Sequence, residues 1–276
     1  MKVEIISFKN YEHYLKPRTQ DWHKGLSGHV LIIGGDLGFL GAPCMAGMAA
    51  LRVGAGLVSI ATHPEHAAIM SGHYPALMSH GISAPEELAP LLKKADIVVI
   101  GPGLGLSAWG QALWQAISHS SLPLLVDADG LNWLAQSPFK KNNWILTPHA
   151  GEAARLLQST AQQIQDNRLQ ALQTLQVTYG GIIVLKGAGS LILGDDVMPT
   201  QCNLGNPGMA TAGMGDILSG VIAGLCAQKI PLKEAAQLGV LCHAMAGDLA
   251  AKARGERGMI ATDLLPYLQQ VVNCRE

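Results

Sequence analysis

Five short apolar runs, each ended directly by glycine or a polar residue, constrain most strongly how this chain can fold. They lie at residues 29–33, 96–100, 122–126, 144–146 and 182–185. Helical stretches separate most of these runs. Continuous apolar strands that alternate with helices are typical of a mostly parallel sheet covered on both faces. The sequence therefore predicts an α/β fold with three layers, α/β/α.

Further elements complete this pattern. A sixth strand is predicted at 57–61, and a hairpin at 191–193 and 197–200 that turns at Asp195 and Asp196. Helices are predicted at 42–53, from a capping box at 83–86 to about 94, and at about 216–228, 232–253 and 260–270. No fixed-period repeat and no linker rich in Pro or Ser divides the chain, so we expect a single domain over residues 1–276.

Composition excludes several classes of protein. Hydrophobic residues make up 49% and charged residues only 14%, which argues against disorder and coiled coil. The net charge of -1 and 5% aromatic residues argue against a nucleic-acid partner. The five cysteines include no C-x-x-C pair, so neither a disulfide framework nor a cysteine-based zinc site is indicated. With no signal peptide and no apolar stretch of about 20 residues, we expect a soluble, cytoplasmic protein without a membrane partner.

Glycine and polar residues follow five of the predicted strands. They are found at 34–35, 101–105, 127–129, 147–149 and 186–189. In parallel sheets the ligand site lies beyond the carboxyl ends of the strands. We therefore expect these residues to meet at one edge of the sheet and to form a ligand site there.

The most specific motif is a glycine-rich loop at 203–215 that leads into an apolar helix. Backbone N–H groups at a helix N-terminus attract phosphate, so Gly213, Met214 and Gly215 are predicted to form an anion hole. Asp216 then lies beside a bound phosphate and could take a proton from an attacking hydroxyl. The alternative is that Asp216 only caps the helix, but capping does not require glycines on both sides. Gly220 and Gly224 are interpreted as packing positions.

Two other glycine loops are less specific. Lys186 and the glycines that follow it could hold a nucleotide phosphate or adenosine, or could form an ordinary hairpin turn. The loop at 101–105 is not a dinucleotide fingerprint, because Leu106 stands where that motif needs glycine, and no Walker P-loop is present. This loop could let a flat ligand approach its backbone.

Acidic and histidine side chains near the predicted edge have more than one interpretation. His149 could hydrogen-bond a ligand, and Glu152 could hold a magnesium-bound water or be a favourable first-turn carboxylate. Asp127 and Asp129 could bind metal or position a ligand, or could serve in turns and caps.

Three histidines are assigned no chemistry. His63 and His66 lack the spacing of a zinc protease and are interpreted as a solvated helix start. His243 and Asp248, on a late predicted helix, are interpreted as structural.

The G-x-G-D sequence at 213–216 resembles the ribokinase-like superfamily, whose members phosphorylate small hydroxyl compounds. A longer series of motifs, in order from about residue 15 to 270, resembles the ADP-dependent NAD(P)H-hydrate dehydratase family. The motifs are at 17–18, 23–25, 30–35, 41–43, 49–52, 54–57, 101–105, 127–131, 147–149, 186–189 and 206–210. So many ordered motifs are far more specific than any one of them.

The resemblance implies a lyase that repairs damaged NADH and NADPH. Asp216 would activate the hydroxyl of the S-form hydrate for attack on the terminal phosphate of ADP, or of ATP, with Mg²⁺ neutralising charge. Phosphate would then leave and restore the dihydronicotinamide. By the same resemblance, the hydrate would contact Ala42, Gly105, His149 and Asp216. The adenine nucleotide would contact Lys186, Gly187, Ala188, Gly189, Ser190 and Gly215.

Two departures from the family pattern stand out. Many members have Thr where Met214 stands, so only the backbone N–H is left to touch phosphate there, whereas Ser190 replaces a common Thr and keeps its hydroxyl. Many bacterial members carry an epimerase domain before this one. We therefore expect a stand-alone dehydratase domain and an epimerase on a separate chain. Family members are often homotetramers, which is the expected assembly.

Two rival functions remain open. One is a ribokinase-like vitamin kinase of the hydroxyethylthiazole kinase type, although the Asn usual in its T-P-N motif is His149 here. The other is a non-catalytic nucleotide sensor, against which the intact Asp216 argues.

Overall fold

The computed structural model describes residues 2–195 and 198–273 and contains one ten-stranded sheet. The strands are β1 (Glu4–Ile5), β2 (His29–Ile33), β3 (Leu57–Thr62), β4 (Met78–Gly81), β5 (Ile97–Ile100), β6 (Leu124–Val126), β7 (Trp144–Leu146), β8 (Ile182–Leu185), β9 (Ser190–Leu193) and β10 (Thr200–Cys202). Their spatial order is β1-β10-β9-β8-β7-β6-β5-β2-β3-β4. Strands from β8 to β4 in this order pair in parallel, and β9 is antiparallel to both of its neighbours.

Helices connect most of the strands. They are α1 (Gly41–Arg52), α2 (Pro64–His73), α3 (Ala89–Leu92), α4 (Ala108–Ile117), α5 (Asp129–Gln136), α6 (Ala150–Leu156), α7 (Ala161–Asp166), α8 (Arg168–Tyr179), α9 (Met214–Ala227), α10 (Leu232–Arg254) and α11 (Leu264–Val271). Short 3-10 turns lie at 8–10, 12–14, 24–27, 85–88, 207–209 and 261–263. None of the helices in the described residues combines the length and apolarity needed to cross a bilayer.

Alternate residues of the central strands face two separate cores. In β2, Val30 and Ile32 belong to a core that includes α1, α9, α10 and α11. Leu31 and Ile33 belong to a second core, which α4, α5, α6 and α8 complete on the other face. This division follows from the two-residue period of a strand and confirms the predicted three-layer α/β/α fold.

Close packing of α9 against α1 brings the first turn of α9 to the carboxyl edge of the sheet. A Cβ built on Gly220 would lie 1.9 Å from the carbonyl oxygen of Ala46, and one built on Gly224 would lie 2.7 Å from that of Ala50. No side chain fits at such distances, so the interpretation of both glycines as packing positions is confirmed.

Two predicted elements differ from the structure. The helix predicted from 83 to about 94 is a 3-10 turn at Pro85–Leu88 followed by the single turn of α3, and Ser83 N donates to Glu87 Oε2 rather than to Glu86. The predicted hairpin exists as β9 and β10, but β10 begins at Thr200. The predicted turn residue Asp196 and the predicted first residue of the second strand, Val197, lie outside the described residues. In the segment from 83 to about 94, proline at both 85 and 90 explains why one regular helix does not form.

Candidate functional site

The loops that follow β2, β5, β6, β7 and β8 meet at the carboxyl edge of the sheet, as predicted. Backbone approaches are very close: a Cβ on Gly34 would lie 2.0 Å from the carbonyl oxygen of Pro102, and one on Gly101 would lie 1.7 Å from that of Asp127. Lys186 N donates to Pro148 O at 2.9 Å. The glycines therefore allow neighbouring loops to pack with their backbones in contact.

A buried ion pair lies at the centre of this edge. Lys186 Nζ is 2.7 Å from Asp127 Oδ1 and 3.6 Å from Glu152 Oε2. The side chains of Lys186, Asp127 and Glu152 are only 16%, 1% and 7% exposed. Lys186, which the sequence left open between a contact with a nucleotide phosphate or adenosine and a hairpin turn, thus already has two acidic partners within the protein.

The surroundings of Asp127 keep its carboxylate ionised. Burial alone would raise its pKa, but the charge of Lys186 and hydrogen bonds from Lys186, Ser219 and Thr147 together lower it. Ser219 Oγ donates to Asp127 Oδ2 at 2.7 Å and is completely buried. Conversely, burial would lower the pKa of Lys186, and the charges of Asp127 and Glu152 raise it.

The N-terminus of α9 lies directly over this ion pair. Gly213 occupies the N-cap position with a φ of 88°, in the left-handed region that favours glycine, and no side chain caps the helix there. A Cβ on Gly215 would lie 3.2 Å from Lys186 Nζ. Met214 has its side chain buried, so its backbone N–H is the group it can offer to an anion. This turn combines free N–H groups with a nearby ammonium, a combination that suits a phosphate.

Asp216 lies in the first turn of α9 and has an unusual pKa. Burial raises that pKa to about 7, and the negative charge of Asp127 adds to the effect, while Lys186 opposes it. A carboxyl group with this pKa is divided between its acid and base forms near neutral pH. It can therefore accept a proton from a hydroxyl at a pH where an ordinary aspartate is a much weaker base.

His149 and Glu152 form the capping box of α6. His149 N donates to Glu152 Oε2 at 2.7 Å, while His149 Nδ1 accepts hydrogen bonds from the backbone N–H groups of Gly151 and Glu152. Burial raises the pKa of Glu152 to about 7, against the charge of Lys186. Glu152 is thus a first-turn carboxylate of α6, as one of its two interpretations predicted. The side chain of His149 remains about half exposed.

The donor groups fit a metal only in an indirect role. Among the residues that the structure describes, no group of three or more His, Cys, Asp or Glu could hold an ion. Asp127 and Glu152 already bind Lys186. Magnesium commonly keeps several waters and binds through one or two carboxylates plus substrate phosphates. Glu152 therefore fits a contact with Mg²⁺ through water, and a direct protein cage is absent from the described part.

The loop at 101–105 is fixed by side chains of α5. Asp129 Oδ2 accepts from Gly105 N at 2.9 Å, and Trp133 Nε1 donates to Gly105 O at 3.0 Å. Ala42 lies beside this loop at the start of α1, since a Cβ on Gly103 would be 3.3 Å from Ala42 Cβ. The structure thus places Ala42 beside Gly103, in the same loop as Gly105, and gives Asp129 a positioning role in that loop.

Residues 186–189 form the turn between β8 and β9, as one of the two interpretations predicted. Arg168 of α8 supports this turn: its Nη2 donates to Leu185 O at 3.2 Å and to Gly189 O at 3.0 Å. Ser190 Oγ donates to Gly187 O at 3.1 Å. Arg168 could not be identified from the sequence, since nothing near it in the chain marks it as part of this edge.

Two residues interpreted as structural support the glycine-rich loop of α9. Asp248 accepts from Gly205 N at 3.0 Å and from Asn206 Nδ2 at 2.9 Å. His243 hydrogen-bonds the backbone of Met214, and burial lowers its pKa to about 4. His243 Nε2 is buried and has no hydrogen-bond partner in the described residues. Both support the loop that carries the predicted anion hole.

The histidines at 63 and 66 are where the sequence predicted. His63 is the N-cap of α2 and its side chain accepts from Glu65 N. His66 Nδ1 contacts Gly35 O at 3.0 Å. The interpretation as a helix start is confirmed.

Comparison with known proteins agrees with this geometry. The Carb_kinase family model, described as NAD(P)H-hydrate dehydratase, matches residues 30–270. The chain is 52% identical, over 98% of its length, to the bifunctional NAD(P)H-hydrate repair enzyme Nnr of Coxiella burnetii, and 45% identical, over 99%, to that of Escherichia coli. It covers 56% and 53% of those two proteins, so the chain spans about half the length of the curated relatives it matches.

Solved structures show the same fold along almost the whole chain. The ADP/ATP-dependent NAD(P)H-hydrate dehydratase from Bacillus subtilis, co-crystallised with ATP/Mg²⁺, superimposes with a TM-score of 0.88 at 27% identity, and 98% of each chain is covered. A hydroxyethylthiazole kinase from Pyrococcus horikoshii shares the fold with a TM-score of 0.64 at 15% identity, over 95% of this chain and 93% of its own. The family model and the two repair enzymes cover nearly all of this sequence, and the chain therefore belongs to the NAD(P)H-hydrate dehydratase family.

Proposed function

We propose that this chain dehydrates the S form of NADH or NADPH hydrate at the expense of an adenine nucleotide. The observation that carries the proposal is Asp216, which has a pKa of about 7 and lies in the first turn of a glycine-capped helix beside a buried lysine. A base next to an anion hole is what transfer of a phosphoryl group to a hydroxyl requires.

The two ligands would occupy different parts of the carboxyl edge of the sheet. The hydrate would lie against Ala42, Gly105 and His149, with its hydroxyl facing Asp216. The nucleotide would lie along residues 186–190, with its terminal phosphate on the N–H groups of Gly213, Met214 and Gly215. The closeness of Gly215 to Lys186 Nζ supports this division, because it puts one positive charge where the two ligands would meet.

The chemistry takes place in two steps. The hydrate oxygen attacks the terminal phosphorus, an O–P bond forms, and the bond from that phosphorus to the leaving nucleotide breaks, giving AMP from ADP. Asp216 takes the hydroxyl proton. The C–O bond of the phosphorylated intermediate then breaks, a ring proton is lost, and phosphate leaves as the dihydronicotinamide double bond forms. Phosphate is a far better leaving group than hydroxide, which is the reason for using a nucleotide.

Magnesium would arrive with the nucleotide and neutralise charge on its phosphates. The carboxylate of Glu152 supports a contact through water at most, given its bonds to His149 and Lys186. We propose ADP as the usual donor. The B. subtilis relative is named as dependent on ADP or ATP, so both nucleotides belong in the test.

The decisive experiment mixes purified protein, Mg²⁺ and S-form NADH hydrate with ADP, with ATP or with neither. Return of the reduced-nicotinamide absorbance and release of phosphate are followed together. Recovery with a nucleotide, and little without one, would establish the dehydratase and name the donor. Nucleotide turnover without recovery would indicate a kinase acting on another hydroxyl, and nucleotide binding without turnover would indicate a sensor.

Asp216→Asn should lower kcat by about 1,000-fold or more while nucleotide binding is kept, because loss of a positioned base removes a factor of 100 to 10,000. Glu234→Gln is the matched control, since Glu234 is also an acidic residue in the first turn of a helix, here α10. Turnover by Asp216→Asn at the wild-type rate would refute the assignment of the base.

Three further expectations concern the organisation of the protein. We propose that residues 1–276 form a single domain, that the protein is a homotetramer, and that it works together with an epimerase activity. A single cooperative unfolding transition tests the first expectation and light scattering the second. Repair of the R-form hydrate only after an epimerase is added tests the third.

A further inference from the structure

One hydroxyl on α9 is buried under the anion hole and is not assigned to either ligand. Ser219 lies three residues after Asp216, is completely buried, and donates a 2.7 Å hydrogen bond to Asp127 Oδ2. The other oxygen of the same carboxylate, Oδ1, accepts a 2.7 Å bond from Lys186 Nζ. One carboxylate therefore connects the helix that carries the base to the lysine at the end of β8.

This connection determines where the ammonium of Lys186 can be. A lysine carries its ammonium group on a flexible chain of four carbons, and this charge is strongly hydrated. An ammonium that nothing restrains therefore moves toward water. Glu152 Oε2 is 3.6 Å away, while Asp127 Oδ1 is within hydrogen-bond distance. Asp127 thus provides the shorter contact, and Ser219 with Thr147 fixes Asp127.

The ammonium lies where negative charge would develop. A Cβ on Gly215 would be 3.2 Å from Lys186 Nζ, so the charge lies beside the first turn of α9, whose N–H groups would form the proposed anion hole. A fixed positive charge stabilises a transferring phosphoryl group more than it stabilises the bound nucleotide. A small displacement of such a group is known to be costly to the rate.

We propose that Ser219, acting through Asp127, is a positioning residue that holds the Lys186 ammonium against the anion hole and thereby sets the rate of phosphoryl transfer. The inference rests on the proposed function. It assigns Ser219 and Asp127 no contact with substrate. Ser219 should therefore affect the rate of the chemical step and should have little effect on the affinity for the nucleotide.

The test compares two serine-to-alanine variants that both remove a buried, hydrogen-bonded hydroxyl. Ser219→Ala breaks the bond to Asp127. Ser59→Ala, in β3, removes a hydroxyl that is 1% exposed and bonded to His29 Nε2 at 2.9 Å. Ser219→Ala should lower kcat by about 10-fold or more, as the loss of a supporting partner of a functional group does. The KM for ADP should change by less than about two-fold, and Ser59→Ala should keep the wild-type kcat.

A double-mutant cycle identifies the route of the effect. Asp127→Asn should lower kcat at least as much as Ser219→Ala, and adding Ser219→Ala to it should lower kcat no further, because both changes act on one carboxylate. Ser219→Cys, which keeps a weak donor, should fall between wild type and Ser219→Ala. Thermal unfolding of each variant shows whether it is folded, and Ser219→Cys carries the test if the alanine variant is not.

The outcomes separate the two proposals. If the wild-type protein does not dehydrate the hydrate with either nucleotide, the proposed function fails. If the wild type is active, the positioning role is overturned by any of three results: a wild-type kcat in Ser219→Ala, an equal loss in Ser59→Ala, or full additivity with Asp127→Asn.

Discussion

Two lysine–aspartate pairs lie at opposite edges of the same sheet, and their surroundings differ greatly. At the carboxyl edge, the side chains of Lys186 and Asp127 are 16% and 1% exposed. At the amino edge, Lys229 follows the end of α9 and pairs with Asp96 before β5, and these side chains are 70% and 29% exposed. The chemical groups are the same, so the comparison isolates what burial does to a charge pair.

The exposed pair needs little support, because water solvates both charges. Asp96 also accepts a hydrogen bond from His29 N at 2.8 Å, which fixes the start of β2. The buried pair has lost that water, a loss that costs several kcal/mol per ion before compensation. It is held by Ser219, Thr147 and Glu152. Burial raises the pKa of both Glu152 and Asp216, and the charge of Asp127 adds to this effect while that of Lys186 opposes it. Burial therefore makes the charges of the Lys186–Asp127 pair act strongly on neighbouring groups, whereas water screens those of the Lys229–Asp96 pair.

The largest expected difference is in stability. Lys186→Met leaves the Asp127 carboxylate buried without its partner and should lower the free energy of unfolding by about 3 to 5 kcal/mol. Lys229→Met removes an exposed partner and should lower it by at most about 1 kcal/mol. Urea unfolding of the two variants, without nucleotide, measures both values.

A second change sharpens this result. Asp127→Asn added to Lys186→Met removes the unpaired charge and should recover most of the lost stability. Equal, small losses in the two lysine variants would mean that the buried pair behaves like the exposed one, and the contrast between the edges would fail.

The next difference is in pH dependence. Burial raises the pKa of Asp216 in the folded protein to about 7, from an ordinary value of 3.8. Between these pH values the folded state binds more protons than the unfolded state, so this group makes stability fall as pH rises from about 4 to about 7. Asp216→Asn should therefore stabilise the protein progressively over that range. The gain should reach about 2 to 4 kcal/mol near neutral pH, since one pKa unit corresponds to about 1.4 kcal/mol.

Unfolding in urea at a series of pH values, with EDTA and without nucleotide, tests this expectation. Lys229→Met is the control at the other edge, and its stability curve should run parallel to that of the wild type. A gain from Asp216→Asn that is constant with pH would show that the carboxyl group of Asp216 does not change its protonation on folding.

Much of the fold could be predicted because it depends on local patterns. Apolar runs such as 144–146 and 182–185 match β7 and β8 to the residue, and the residues that follow them meet at one edge because parallel strands end together. Elements on the rim were predicted less well. Only the start of α2 was predicted, because its apolar residues lie on no clear face, and β4 was missed because its sequence Met-Ser-His-Gly has no apolar run.

The interactions inside the site could not be predicted from spacing. Lys186 and Asp127 are 59 residues apart and meet because their strands, β8 and β6, flank β7. From spacing alone, Lys186 was therefore interpreted as a nucleotide contact or as part of a hairpin turn, and its acidic partners were not predicted. The sequence contains one weak indication of Ser219, which is the single hydroxyl residue of the largely apolar α9 and follows Asp216 by three residues. Its partner is a carboxylate 92 residues earlier, which only the folded sheet brings near.

The smallest expected difference is in the response to salt. The coupling energy between Lys229 and Asp96, measured by a double-mutant cycle with Lys229→Met and Asp96→Asn, should be about 0.5 kcal/mol at low salt. It should vanish in about 1 M NaCl, where the screening length is about 3 Å. The corresponding cycle with Lys186→Met and Asp127→Asn should give a coupling of several kcal/mol that salt hardly changes, because ions cannot enter between two side chains so nearly buried. If both couplings fell in parallel with salt, solvent ions would have access to the carboxyl edge as they do to the amino edge, and the pKa shifts of Asp216 and Glu152 would lose their physical cause.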